Sequence, residues 1–417
     1  MPTISGELAR GVLAAADLRQ RLGVSPSTLM RAIQEVREQV VSVGRGRATR
    51  YGWREAWPLA ETTRLPIFRI LDTGVAQPEG ELFTLAARQS VWMPRGEVSQ
   101  GLPLALADAR PSGFLGRHFA AMHADLRLPD RLMDWSDHHI LLAMSRRGED
   151  LPGHFIIGEE SFARWQGLTH PVSTRADYPA LADAAIAGHP PGSSAGGERP
   201  KFGAFVDDRH VLVKFATRGE GVAQRWCDLL VLEAHALAVV TAHGIDAAQA
   251  TLVDHDTHYF LESVRFDRVG MRGRRGVLSL AAVQDDPADS WARAAVRLSD
   301  AGRVSREDAR ALRWLDAFGA LIANTDRHPY NIVFFDDDGE IRLAPAFDQV
   351  SMFYAPTADG QVPTRIFTLP RATADTFDVW DDARAAAREF WGRASDDARV
   401  SDAMRRAAAV NARALAS

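Results

Sequence analysis

Three residues that could serve one chemistry fall close together: Asp326, Asn331 five positions later, and Asp348. They sit in Asn-Thr-Asp-Arg-His-Pro-Tyr-Asn (324–331), then Ile-Val-Phe-Phe, a charged turn at Asp338-Gly339, and Ala-Pro-Ala-Phe-Asp-Gln-Val-Ser (344–351). Phosphoryl transfer needs a base that orients a hydroxyl, and an amide oxygen and a carboxylate that hold Mg²⁺. Aspartates are common in loops, so this spacing alone proves little.

Composition adds weight. Of 49 basic residues only Lys201 and Lys214 are lysines, and asparagine occurs only as Asn324, Asn331 and Asn411. A compact ammonium meets phosphate as a point charge where a planar guanidinium does not fit. Biased nucleotide composition with chance survival is the bland explanation. The survivors nonetheless cluster where a nucleotide site needs them, which favours function.

The elements that must position these residues can be read upstream. Residues 188–200 run Gly-His-Pro-Pro-Gly-Ser-Ser-Ala-Gly-Gly-Glu-Arg-Pro, which alone would pass for a linker. Lys201 to Val206 then reads as a strand, Asp207-Asp208 as a turn, and His210 to Phe215 as a strand carrying Lys214. A long helix over Val222 to His243 places Glu233 among apolar neighbours, where it could pair with Lys214 or be an ordinary helix carboxylate. Gly-rich loop, strand lysine and helix glutamate, in that order, make the nucleotide half of a kinase-like fold. The expected nucleotide contacts are Ser194, Gly196, Gly197, Lys201, Lys214, Glu233 and His328. Ala250–Val253 and Tyr259–Phe266 read as a hairpin leading towards a helical region. Backbone groups near Val264 and Phe266 are expected to meet a base, and Asp267 a ribose. Helices are expected over Leu278–Val283, Pro287–Leu298 and Arg306–Ala323, the last capped by Ser305, and over Asp381–Ala394 and Asp396–Leu415.

The N-terminal residues 1–57 carry nine arginines against five acidic residues, which leaves the rest of the chain at −9. Three helices are expected here. One ends at Gly23, Ser25 or Ser27 caps the next, and that helix runs from Ser27 to Glu38. After it comes a hairpin with Arg45 and Arg47 near its tip and Arg50 on its return, the pattern of a winged helix-turn-helix. Ser27, Thr28, Arg31, Arg45, Arg47 and Arg50 are the expected DNA contacts. A three-helix protein-binding module is the alternative.

At 417 residues and 46% hydrophobic, the chain can bury a large core. Its single cysteine, Cys227, excludes an intramolecular disulfide and reads as a buried structural thiol. No basic-then-apolar leader pattern and no membrane-length apolar run are present, so a cytoplasmic protein is expected. Residues 58–66 read as a linker. Five histidines between His118 and His154 lack metal-ligand spacing.

With Ser-Ser-Ala-Gly-Gly-Glu-Arg-Pro-Lys, Val-Leu-Val-Lys-Phe, Val-Arg-Phe-Asp-Arg, Asn-Thr-Asp-Arg-His-Pro-Tyr-Asn and Pro-Ala-Phe-Asp-Gln-Val-Ser in order, the chain resembles the HipA family of bacterial serine/threonine kinases, toxins of type II toxin–antitoxin systems. The resemblance implies an α+β, two-lobed kinase-like fold behind a small winged helix-turn-helix. Its parts would be 1–57, a HipA-like N-terminal subdomain at 67–187, a nucleotide-binding lobe at 188–267 and a helical catalytic lobe at 268–417. It further implies ATP and Mg²⁺ as cofactors, Asp326 as catalytic base, Lys214 on the phosphates, Asn331 and Asp348 on the metal, and autophosphorylation at Ser194, with Ser193 its near neighbour. The fused DNA-binding head resembles the YjjJ-type branch, where repressor and kinase share one polypeptide. That leaves operator DNA, a homodimer mate or an antitoxin as partners, and an unknown protein substrate. A DNA-binding regulator with a nucleotide-sensing body, a DNA-damaging toxin and a small-molecule phosphotransferase remain as alternatives.

Overall fold

The computed structural model describes residues 2–111, 113–187, 200–337 and 339–416. The chain divides into two compact units: residues 1–71, 75–112 and 119–169 form one, and residues 72–74, 113–118 and 170–417 the other.

The first unit begins with α1 (Ile4–Leu8), β1 (Leu13–Ala14), α2 (Ala15–Leu22), α3 (Pro26–Glu35), β2 (Val40–Val43) and β3 (Arg50–Trp53). Gly23 stops α2 because its φ of 66° is one that residues with a Cβ adopt only with strain. The Ser25 hydroxyl then accepts from the Thr28 N–H at 3.2 Å and caps α3. That helix ends at Glu35, three residues short of the expected Glu38, because the chain must turn before β2 starts at Val40. The strands pair in the order β1-β3-β2. Leu8, Leu18, Leu29, Ile33, Val40 and Tyr51 form the core beneath.

Residues 58–66 are not a free linker. Trp57 is buried with its indole donating to the Leu85 carbonyl at 3.2 Å, Leu65 is also buried, and β4 (Arg64–Ile70) already begins inside the stretch. β4 joins β5 (Ala76–Leu85), β6 (Gln89–Met93), β7 (Glu97–Gln100) and β8 (Phe155–Ile157) in a sheet ordered β7-β6-β5-β4-β8. Val41 and Val43 of β2 pack with Phe83, Leu85 and Val91 of this sheet, so the head and the five-stranded sheet share a core.

In the second unit, α4 (Tyr178–Ala187) precedes β9 (Lys201–Val206), β10 (Arg209–Thr217), α5 (Val222–Ala242), β11 (Ala250–Asp254) and β12 (His258–Val264). The sheet order is β11-β12-β10-β9. Asp207 and Asp208 both have positive φ, 50° and 59°, which suits a two-residue hairpin turn. Period-2 alternation gives the sheet two apolar faces. Phe202, Val211, Val213, Phe215 and Phe260 meet Tyr178 and Ala182 of α4, while Ala216, Tyr259 and Leu261 meet Cys227 and Leu230 of α5.

The helical part contains α6 (Trp291–Asp300), α7 (Arg306–Leu321), α8 (Trp380–Asp396) and α9 (Asp402–Ala416) around one large core. Ser305 caps α7 through the Asp308 N–H at 2.9 Å. The expected helix at Leu278–Val283 is corrected. Val277–Ser279 is β13, paired with β14 (Val333–Asp337), which in turn pairs with β15 (Glu340–Leu343), and only Leu280–Val283 is helical.

The buried His210 and the half-buried His235 should make this fold acid-sensitive. Burial holds His210 and His235 below the ordinary imidazole value of 6.5, and for His235 it outweighs the opposing bond to Asp397. The unfolded chain therefore binds more protons as pH falls, so their contribution is intact above pH about 6.5 and lost on the acid side. Urea midpoints should drop as pH falls through that value, and His210→Gln should shrink the drop.

Candidate active site

Lys214 is the centre of the site. It is 7% exposed, and its ammonium donates to Glu233 Oε1 at 2.6 Å and to Asp348 Oδ1 at 2.5 Å. Each partner arrives on a different element: Lys214 on β10, Glu233 on α5 and Asp348 beyond β15. Alternation along β10 turns Lys214 to the α5 side of the sheet, and Glu233 lies midway along a helix with twelve buried residues. Burial alone would lower the lysine pKa, but the Asp348 and Glu233 charges outweigh it and hold the pKa above its ordinary value. Glu233 is 1% exposed, and its other oxygen, Oε2, has no hydrogen-bond partner among the described residues. Asp348 has φ = 55°, a left-handed conformation uncommon outside glycine and most accessible to Asp and Asn.

Lys201 lies directly across from Lys214 in the β9–β10 ladder, so the chain's two lysines share one sheet face. Like charges set opposite each other destabilise a sheet. The Glu233 and Asp348 carboxylates on Lys214 offset that repulsion.

The loop after α7 is held by its scarce asparagines. Asn324 Oδ1 accepts from the Asp326 N–H at 2.9 Å, and Asn331 Nδ2 donates to the Asp326 carbonyl at 2.9 Å. Both backbone groups of Asp326 are thus fixed by amide side chains. Its carboxylate stays about half exposed (48%), with His328 Nε2 at 3.9 Å from Oδ1. Arg327 anchors the loop to α7 by donating to Asp316 Oδ1 at 3.0 Å and also to the Asn324 carbonyl. Gly319 makes room for it, since a Cβ there would lie 2.8 Å from Arg327 Cδ. The Trp291 indole of α6 holds the His328 carbonyl at 3.1 Å.

The donor set fits Mg²⁺. With its amide nitrogen committed to Asp326, Asn331 has its oxygen left as an acceptor, and Asp348 already holds a cation, the Lys214 ammonium. Hard oxygen ligands of this kind suit Mg²⁺. Among the described residues, no group of three or more His, Cys, Asp or Glu could hold a metal ion.

The residues expected to meet a base and a ribose, Val264, Phe266 and Asp267, already have protein partners. Asp267 is buried, Arg265 binds it through Nε at 3.0 Å and Nη2 at 2.8 Å, and Arg268 adds a bond at 2.6 Å. Burial opposes its charge, but these arginines win and hold it well below the usual carboxylate range. These three bonds occupy most of the roughly four acceptor positions of a carboxylate. The Val264 N–H likewise is spent on the Gln249 carbonyl at 2.9 Å. The Phe266 ring sits against Phe335 and Phe347 at 5.9 and 5.8 Å. Ser193, Ser194, Gly196 and Gly197 lie outside the described residues.

Several supporting residues were missed from the sequence. Glu262 is 2% exposed and receives the Tyr178 hydroxyl at 2.6 Å and Arg175 at 2.8 and 2.9 Å, which fixes α4 to the sheet. Burial and Glu262 push the Tyr178 hydroxyl pKa up. Asp228 of α5 accepts from the Ser401 N–H at 2.8 Å and the Ser401 hydroxyl at 2.6 Å, clasping the Glu233 helix from the C-terminal side. Asp316 had a signal, since it is a carboxylate on the apolar stripe of α7. Glu262 and Asp228 had none beyond their apolar surroundings.

Comparison with known proteins agrees with this architecture. Residues 61–166 match the model of the YjjJ-like toxin middle domain, and residues 193–414 that of the HipA-like C-terminal domain. Toxin YjjJ of Escherichia coli K12 is 34% identical over 430 residues, covering 97% of this chain and 95% of that protein. HipA of Shewanella oneidensis MR-1, solved with HipB and operator DNA, superposes with a TM-score of 0.53 at 14% identity, over 84% of this chain and 95% of that one. No helix among the described residues is long and apolar enough to cross a membrane. The chain belongs to the HipA-like toxin family.

Proposed function

We propose that this toxin-family member is an ATP- and Mg²⁺-dependent protein kinase acting on serine or threonine, with a DNA-binding head in the same chain. The observation that carries the kinase reading is the buried Lys214 ammonium shared by Glu233 and Asp348, together with a loop whose asparagines fix Asp326. Glu233 aims Lys214, and Lys214 moves from Asp348 to the phosphate oxygens when nucleotide enters. Asp326 accepts the hydroxyl proton of the substrate, and its fixed backbone keeps that carboxylate in one place. Asn331 and Asp348 would hold Mg²⁺, which supplies neutralisation of phosphate charge. Ser194 is the proposed autophosphorylation site.

Metal removal tests this reading. EDTA should abolish ATP turnover, and Asp348→Asn should raise the Mg²⁺ concentration needed by at least about tenfold, since it removes the only charged ligand of the pair. Turnover that persists undiminished in EDTA contradicts the assignment.

The head rests on a different observation. Ser27 and Arg31 are exposed on α3, and Arg45, Arg47 and Arg50 are exposed on the β2–β3 hairpin, whereas Thr28 is half-buried with its hydroxyl on Ser25 at 2.8 Å. The shared Val41–Val43 core makes deletion of residues 1–57 a poor test, because it would strip cover from Phe83 and Leu85. Point variants are cleaner. Arg45→Ala and Arg47→Ala should each weaken binding to DNA from the chain's own promoter region and reduce the salt slope by about 1. Unchanged, salt-insensitive binding argues against the head as a DNA reader.

A further inference from the structure

Beyond Asp348 the chain runs through a segment with no assigned helix or strand and an unusual combination of properties. From Thr364 to Leu369, exposure alternates residue by residue: Thr364, Ile366 and Thr368 face out, while Arg365, Phe367 and Leu369 are half-buried. Phe367 and Leu369 pack on the large core of the helical part, and Ile366 is 86% exposed. This is the period of a strand with one face docked, yet the segment belongs to no sheet. None of residues 362–372 makes a backbone hydrogen bond to another described residue. Proline stands at each end, Pro363 and Pro370, so the unpaired stretch is framed at six residues. Sheet edges with free N–H and C=O groups are templates for another strand, and proteins ordinarily blunt them. Here the outward side chains are β-branched, which favours pairing.

Its position says what it pairs with. Arg365 bonds the Phe353 carbonyl, and the rings of Phe353 and Phe367 lie 5.5 Å apart. The Phe353 N–H donates to the Ala323 carbonyl at 3.0 Å, and Ala323 adjoins the loop that holds Asp326. Tyr330, 47% exposed, stands in that same loop. The segment is therefore tied, through Phe353, to Ala323, the residue that leads into the proposed catalytic loop.

We propose that Thr364–Leu369 is the docking strand for the protein substrate. An extended segment of the substrate adds to it by main-chain hydrogen bonds, and Ile366 selects an apolar or β-branched neighbour of the phosphorylated residue. The inference rests on the kinase reading above and narrows its substrate to a serine or threonine in a stretch able to become extended.

The probe is a degenerate peptide library with a central serine or threonine, presented to the full-length protein with MgATP. Wild type should phosphorylate library members enriched in β-branched and apolar residues at alternate positions. Ile366→Asp and Thr368→Pro should each lower peptide kcat/KM by about tenfold or more, through loss of side-chain and main-chain pairing respectively. The KM for ATP and peptide-independent ATP turnover should not change. Amides 364–369 should exchange hydrogen freely in the absence of peptide and gain protection when the library and a non-hydrolysable ATP analogue are added. Equal peptide phosphorylation by both variants overturns the proposal, as does wild-type selection with no preference at alternate positions. Protection that appears with protein concentration and not with peptide assigns the strand to self-association and likewise overturns it. Absence of ATP turnover in every variant, wild type included, strikes the kinase reading instead.

Discussion

Asp326→Asn should lower phosphoryl transfer by about 10²–10⁴-fold, the usual worth of a positioned general base, and leave ATP affinity and the thermal midpoint near wild type. The structure makes this substitution informative. Asp326 is held by its backbone N–H and carbonyl, which bond to Asn324 and Asn331, and its own carboxylate is about half exposed. Replacing one oxygen with an amide nitrogen removes the proton acceptor and preserves the shape. Loss of activity with unchanged ATP binding therefore reports on the chemical step. Asn331→Ala should give the contrasting pattern, since it removes both the proposed metal ligand and the bond that positions the Asp326 carbonyl. It should impair Mg²⁺ use and transfer together. Slowed transfer with an unchanged Mg²⁺ requirement in Asp326→Asn, set beside a shifted Mg²⁺ requirement in Asn331→Ala, separates the two roles.

The second large effect is on stability. Lys214→Met should destabilise the second unit by about 3–5 kcal/mol, because it leaves a buried carboxylate without its counter-charge. Glu233 is 1% exposed and one of its oxygens has no partner among the described residues, so it has no route to water when the lysine is removed. Adding Glu233→Gln to Lys214→Met should recover much of that stability and none of the activity. Lys214→Arg keeps the charge but replaces a compact ammonium, held at 2.6 and 2.5 Å by two carboxylates, with a larger planar group. It should fold better than the methionine variant and still be inactive. Denaturant midpoints of the three variants check the order. A methionine variant as stable as wild type would mean that the Glu233 charge is not confined as described.

How far the sequence reaches can be seen residue by residue. β9, β10 and the Glu233 helix were legible almost to the residue, because alternation, the Asp207-Asp208 turn and a long apolar stripe agree with one another. The loop at 324–331 was legible through rarity. Asparagine survives twice within eight residues, and the structure shows why: each amide holds one backbone group of Asp326. Pairing was not legible. Asp267 looked like a polar group at a strand end, and nothing local reveals that Arg265 and Arg268 fold back onto it. The head looked independent because alternation in Val40–Val43 marks an apolar face without saying what covers it. Phe83, Leu85 and Val91, some forty residues on in sequence, do so. The span Leu278–Val283 read as helix because a short apolar run carries no period of its own, and its first residues are claimed by pairing with Phe334 and Val333.

The central claim is that the Lys214, Asp326, Asn331 and Asp348 constellation transfers the γ-phosphate of ATP to a hydroxyl. Phosphosite mass spectrometry tests it most directly, on wild type and Asp326→Asn incubated with MgATP and, separately, with ATP and EDTA. Wild type with Mg²⁺ should gain phosphate on serine or threonine, Ser194 foremost, and both the variant and the EDTA sample should remain unmodified. Wild type that stays unmodified on itself and on added peptides, or a variant modified as fully as wild type, would contradict the account.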